Sequence, residues 1–122
     1  MQVMQEELGV ESDLIPGIAS GFGGGLGHRG LVCGALNGGV MAIGLRYGRL
    51  REMEDKDTAY ALVLELCRRF EKQHGSALCL ELTECDFTTP EGRQKWDDLN
   101  VKEKCRHYVS TAVEILLDLL GE

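Results

Sequence analysis

Ser20-Gly21-Phe22-Gly23-Gly24-Gly25-Leu26-Gly27-His28-Arg29-Gly30, continued by Leu31-Val32-Cys33-Gly34-Ala35-Leu36-Asn37-Gly38, is the stretch that decides the fold. The first part is too rich in glycine for a regular element, and several of its residues must take positive φ to close it into a tight loop. The second part opens a helix over about residues 31–47, in which Gly30, Gly34, Gly38 and Ala42 recur every four residues. That spacing puts small residues on one helix face, where another backbone can approach closely. Of the 16 glycines, 12 lie between Gly17 and Gly48, so the signal is local. The remainder of the chain is helix-like in composition.

Outward toward the N-terminus, Met1 to Leu8 reads as the end of a helix stopped at Gly9, and Ser12 caps a short helix over Asp13 to Ala19 that carries Pro16 in its first turn. Toward the C-terminus, Asp55 or Asp57 caps a helix in which Ala59, Leu62, Val63, Leu66 and Phe70 keep the helical period until Gly75 ends it. Ser76 to Thr83, with Leu78 and Leu82 on one face, forms a short helix. Thr89-Pro90-Glu91 starts another over residues 90–98. Val109, Ala112, Val113, Leu116, Leu119 and Leu120 give the final helix its apolar stripe. No window alternates with the period of two that a half-buried strand requires. The expected architecture is therefore one all-α domain over residues 1–122, a helical bundle with a glycine-rich loop before its central helix.

Composition narrows the function. A chain of 122 residues with 43% apolar residues and 2 prolines is a foldable globular domain. Its formal charge, 13 − 20 = −7, lacks the positive footprint of a phosphate-backbone binder, so nucleic acid is not an expected partner. Met1 to Gly9 is polar and acidic, without the pattern of a secretory signal. Leu31 to Leu45 is too short and too interrupted to span a bilayer, so no membrane insertion is expected. Five cysteines in a chain of this kind point to reduced thiols, metal ligation or redox chemistry in the cytoplasm, ahead of a disulfide framework.

Cys33 falls at the expected first turn of the helix after the glycine loop, where unpaired N–H groups and the helix dipole favour a reactive or ligating thiolate. A small buried residue beside glycines explains it equally well. Cys79 and Cys85 are six apart, roughly 240° around a continuous helix, so they converge only where the chain breaks between them, and Thr83-Glu84 is the place. Their spacing is not the CxxC of a zinc ribbon or a thioredoxin-type pair. Cys105 shares the stripe of Val109, Ala112 and Leu116, which makes core packing its alternative. Cys67, beside Leu66 and Phe70, reads as core and is left out of the site. Gly25 to Gly30 spells GxGxxG, but no strand precedes it, so dinucleotide binding is not expected. His28, His74 and His107 read as solvated histidines, and the acidic groups Glu52-Met53-Glu54-Asp55 and Trp96-Asp97-Asp98 as solvated helix ends.

These residues carry a resemblance. Ala19 to Gly25, the run Cys33-Gly34-Ala35-Leu36-Asn37-Gly38, Gly44-Leu45-Arg46-Tyr47-Gly48-Arg49, Phe70-Glu71, Gly75-Ser76 leading to Cys79, Cys85-Asp86-Phe87, Thr89-Pro90-Glu91-Gly92-Arg93 and Lys104-Cys105 together resemble the C_GCAxxG_C_C family of small redox-active proteins. A related domain occurs in split-Soret multihaem cytochromes beside an iron–sulfur cluster. The resemblance implies an all-helical fold and a cysteine-based redox or metal site ligated by Cys33, Cys79, Cys85 and Cys105. Family members usually carry a further cysteine in the first helix, upstream of Met1. Covalent haem is not expected, because no CxxCH is present.

The expected function is thus a redox protein in which Cys33 is the redox thiol and Cys33, Cys79, Cys85 and Cys105 hold an iron–sulfur cluster for electron transfer to a partner protein. Backbone N–H groups at Gly23, Gly24, Gly25 and Gly34 would approach the bound group. A metal-free thiol–disulfide protein with Cys33 as a low-pKa attacking thiol is the alternative. A third is a helical interaction module whose glycine stripe packs against a second copy in a homodimer.

Overall fold

In the computed structural model, which describes residues 1–48 and 55–121, the chain folds as the order helix, loop, helix implies. The described elements are α1 (Gln2–Leu8), a 3₁₀ helix (Gly17–Phe22), α2 (Gly34–Tyr47), α3 (Asp57–His74), α4 (Cys79–Thr83), α5 (Pro90–Asp98) and α6 (Val101–Leu119). Among the described residues there is no sheet, only an isolated antiparallel bridge between Val32 and Leu78. The architecture is all-α. Arg49 and the acidic residues Glu52 and Glu54 lie outside the described residues.

α2, α3 and α6 pack against one another and form the core. Leu36, Ala42 and Ile43 of α2 meet Leu66 and Phe70 of α3 and Ile115 and Leu116 of α6, with Met4 of α1 and Leu120 closing the cluster. Each of the Leu, Ile, Phe and Met side chains among them, fully removed from water, stabilises the fold by about 1.5–3 kcal/mol. Close approach is set at Gly39, where an added Cβ would lie 2.9 Å from Leu66 Cδ2 and 3.4 Å from Leu116 Cδ1. α1 lies on α2, while α4 and α5 lie on α6. Tyr108 donates its hydroxyl to Leu82 O at 2.9 Å and so ties α6 to α4.

Several expected boundaries are met. Gly9 and Gly75 end α1 and α3 in the left-handed conformation, and α5 spans residues 90–98 with the Thr89 hydroxyl accepting from Gly92 N at 3.0 Å. Asp55 Oδ1 accepts from Asp57 N at 2.8 Å, just ahead of α3. Three expectations are corrected. The Ser12-capped helix over Asp13–Ala19 is instead a turn followed by the 3₁₀ helix. Pro16 has no N–H to return to Ser12 O, the first bond that helix would need, and the Ser12 hydroxyl serves only Leu14 N at 3.2 Å. The central helix begins at Gly34, because residues 31–33 are held extended by the Val32–Leu78 bridge. For the same reason the helix expected from Ser76 begins at Cys79, with the Ser76 hydroxyl accepting from Leu78 N at 3.0 Å.

The small-residue stripe of α2 faces elements of its own chain. Gly34 lies under the Phe22 carbonyl, Gly38 faces Met1 and Ala42 is in the core. Gly30 belongs to the loop and packs on Leu80. Among the described residues, no helix is long and apolar enough to cross a membrane.

Candidate functional site

The glycine run closes on itself through backbone bonds. Gly27, His28, Gly30 and Leu31 donate to the carbonyls of Gly21, Gly23, Gly24 and Gly25 at 2.9–3.1 Å. Gly24, Gly25, Leu26, Gly27, His28 and Gly30 all have positive φ, as a loop this tight requires. At Gly25, glycine is required twice over: φ is +70°, and a Cβ would sit 2.6 Å from both Cys79 Cβ and Leu31 N. The loop is therefore pressed directly onto the first residue of α4.

Leaving the loop, the chain runs beside the segment that enters α4. Cys33 N donates to Ala77 O at 2.8 Å, Cys79 N to Leu31 O at 2.6 Å and Leu80 N to Gly30 O at 3.1 Å. These bonds hold Cys33, the N-cap of α2, beside Cys79, the first residue of α4. Asn37, one turn into α2, donates its side-chain amide to Val32 O at 3.1 Å and fixes the corner. Cys105 approaches from α6, one turn before Tyr108. Thiols from three separate elements, Cys33, Cys79 and Cys105, thus line one cleft of about 540 Å³, together with Gly24, Gly25 and Gly34.

Cys85 is placed differently. α4 ends at Thr83, and Glu84 turns the chain in the left-handed conformation, φ 57° and ψ 25°. The break expected at Thr83-Glu84 is there. It leaves Cys85 with no exposed surface, its thiol donating to Thr83 O at 3.3 Å and its N–H to Thr83 Oγ1 at 3.2 Å, outside the cleft lining. Gly23 is exposed and also outside the lining. Cys67 packs on the α3 side of the core, away from the cleft. All five cysteines are unpaired thiols. Among the described residues, no group of three or more His, Cys, Asp or Glu is placed to hold a metal ion.

Burial raises the Cys33 thiol above its ordinary range. The backbone N–H groups of Ala35 and Leu36 pull the other way, and the Cys105 thiol adds to the rise. The low-pKa thiolate expected at this helix start is therefore outweighed by desolvation. Cys79 is raised for the same first reason, against a lowering hydrogen bond from Thr83 and with further increments from the Cys33, Cys105 and Cys85 thiols. Tyr108 is raised by burial and then by the neighbouring thiols. The protein alone favours neutral sulfur here.

The mouth of the cleft carries residues that sequence reasoning missed. Arg93, Trp96 and Asp97 stand at positions i, i+3 and i+4 of α5 and line one wall. That spacing, after a clear helix start at Thr89-Pro90, was the available signal. Phe87 and Trp96 meet edge to face with centroids 6.4 Å apart, and His28 lies 5.5 Å from Phe87. His28 is thus exposed but engaged. His74 corrects the expectation of a solvated ring: it is half-buried against Phe70 and Tyr108, with Nε2 2.9 Å from Thr111 Oγ1.

Comparison with known proteins adds two findings. Residues 1–119 match the family described as "Putative redox-active protein (C_GCAxxG_C_C)". A protein of Archaeoglobus fulgidus, described as uncharacterized, is 33% identical over 114 residues, covering 86% of this chain and 70% of its own. No solved structure matches the chain.

Proposed function

The chain belongs to the C_GCAxxG_C_C redox-active family, and from that premise we propose that it is an electron-transfer protein of the reducing cytoplasm, whose Cys33, Cys79 and Cys105 hold an iron–sulfur cluster. The observation that carries this reading is the convergence of three thiols, each from a different element, on one cleft. The donor set suits the group, since thiolates are the ligands of such clusters. Gly24, Gly25 and Gly34 present backbone with no side chain to hold a bound group away. Cys85 provides the fourth thiolate once its sulfur leaves the Thr83 carbonyl, a move across the Glu84 corner.

When bound, the cluster supplies reversible one-electron transfer. The chain's own part is electrostatic. Burial first, and then neighbouring thiols (Cys105 for Cys33; Cys33, Cys105 and Cys85 for Cys79), favour the protonated form of Cys33 and Cys79 in the protein alone. Ligation requires thiolates, so loading releases protons and weakens as the pH falls. The Ala35 and Leu36 N–H groups, which already favour the Cys33 thiolate, stabilise the charge that ligation leaves there.

The test is visible absorption with iron and acid-labile sulfide analysis on protein purified without oxygen. Iron and sulfide in stoichiometric amounts, lost in Cys33→Ser and Cys105→Ser and kept in Cys67→Ser, are the expected result. Iron-free, colourless protein overturns the cluster. The adjacency of Cys33 and Cys79 favours a second reading in that event. The two thiols would form a disulfide, releasing two protons and passing two electrons to an acceptor disulfide, which is itself reduced to a dithiol. Its signature is the reversible loss of two titratable thiols with no iron bound.

A further inference from the structure

We infer that the outer part of the cleft is a binding site for a planar heteroaromatic ligand bearing an anionic group, the chemical class of the flavin nucleotides. The whole cleft, thiol side included, has a volume of about 540 Å³, within the range of pockets that enclose small organic molecules. The thiols of Cys33, Cys79 and Cys105 account for one side of it. The other side is built of rings. Phe87 and Trp96 stand edge to face at 6.4 Å, and His28 is tilted by 38° against Phe87 at 5.5 Å. Neither Phe87 nor Trp96 belongs to the hydrophobic core cluster, so their apolar surface serves the cleft mouth rather than the core. Offset or edge contact with such rings is what a flat conjugated ligand offers.

Charge selects further. Arg93 lines the same wall and, among the described residues, forms no ion pair. The one hydrogen bond of its side chain among the described residues is a long one, from Nε to Thr89 O at 3.4 Å, which leaves the terminal nitrogens to face an anion. In a chain of net charge −7 an anion needs such a local cation, and a guanidinium meets phosphate or carboxylate with two parallel donors. Asp97, one turn further along α5, lines the same wall with a carboxylate that would accept from a ring N–H of such a ligand. A ligand with a flat face, a ring donor and an anionic tail satisfies all these groups together. The inference goes beyond the proposed function and does not depend on which group the thiols hold.

Trp96 is the one tryptophan of the chain, so its emission reports the site directly. Full-length protein, as purified, is titrated with flavin mononucleotide, riboflavin and inorganic phosphate, following both tryptophan and flavin emission, with equilibrium dialysis as a check. The expected result is saturable binding of flavin mononucleotide. Arg93→Gln lowers that affinity about tenfold, the loss of one charge-assisted contact, and leaves riboflavin binding unchanged. Phe87→Ala weakens both flavins. Arg93 is exposed, so its replacement leaves the fold intact, which circular dichroism verifies. The inference is overturned if flavin mononucleotide shows no saturable binding by millimolar concentration. It is equally overturned if Arg93→Gln binds it as tightly as the parent, or if inorganic phosphate displaces it at equal concentration, which would reduce the site to a simple anion contact. Iron analysis on the same sample reads the proposed function separately.

Discussion

The two halves of this bundle use their space in opposite ways. Where α2, α3 and α6 meet, Leu36, Ile43, Leu66, Phe70 and Leu116 fill the volume, and all are essentially sealed from water. Where the glycine loop, α4, α5 and the first turns of α6 meet, the chain leaves a cleft of about 540 Å³ and lines it with thiols, rings and bare backbone. The filled half is held by side-chain volume. The open half is held by backbone hydrogen bonds and by glycines that let the main chain approach Cys79 and Leu31. The difference teaches that stability and chemistry are drawn here from separate parts of one small domain.

The largest effects should come from emptying the filled half. Phe70 has no exposed surface and touches His74 and Tyr108 with centroids at 4.9 and 6.1 Å. Phe70→Ala should cost about 3–5 kcal/mol, the lost transfer energy plus a cavity, read as a lowered urea midpoint. A loss under about 1 kcal/mol would show that this half is not the stabilising one.

Next in size is crowding the open half. Gly25→Ala adds a Cβ 2.6 Å from Cys79 Cβ at a φ of +70°, combining backbone strain with overpacking. The expected cost is about 2–4 kcal/mol. Gly23, two residues earlier, has φ −56° and nothing within 4 Å of an added Cβ, so Gly23→Ala should stay within about 0.5 kcal/mol. The pair separates glycine as a steric necessity from glycine as composition. Equal costs at both positions would break the comparison.

A smaller effect isolates the α5 wall. Thr89 caps α5 by accepting from Gly92 N at 3.0 Å, and Thr89→Ala should cost about 1 kcal/mol. Because α5 carries Trp96 into the cleft, tryptophan emission should change in the native state, while the far-ultraviolet dichroism of the longer helices does not.

The filled half was the more legible in sequence. Leu62, Val63, Leu66 and Phe70 repeat with the helical period, Gly75 stops the helix, and Thr89-Pro90 starts the next, all of them local signals. Cys33 and Cys79 were candidates, but their contact rests on Cys33 N to Ala77 O and Cys79 N to Leu31 O, bonds between segments more than forty residues apart that no local pattern encodes. Those same bonds hold residues 31–33 extended and delay the start of α2, the reason the central helix was read three residues too long. Cys85 shows the converse. The break at Glu84 was legible, but the direction in which the thiol then points is set by Thr83, whose carbonyl and hydroxyl engage both the sulfur and the N–H.

The smallest effect expected lies on the outer surface of the filled half. Glu65 of α3 accepts from Arg68 at 2.6 and 2.9 Å and from Arg69 at 2.8 Å, and these bonds lower its pKa from the ordinary 4.5 to about 2. Arg69 also reaches Asp118 of α6 at 2.6 Å, so the group clasps two core helices from outside. A carboxylate with a depressed pKa in the folded protein adds stability that is fully present above about pH 4.5 and is lost as the pH falls toward about 2. Glu65→Gln should therefore lower stability slightly at and above about pH 4.5, neutral pH included, leave it unchanged below about pH 2, and so flatten the stability-versus-pH curve between the two. The amplitude should be small and shrink in salt, because the group is open to solvent. Since nothing in this clasp touches the cleft, the same substitution should leave the Trp96 emission of the native protein untouched. A shift in that emission would mean that the two halves are mechanically coupled through α6, and that the open half leans on the filled one for more than its attachment.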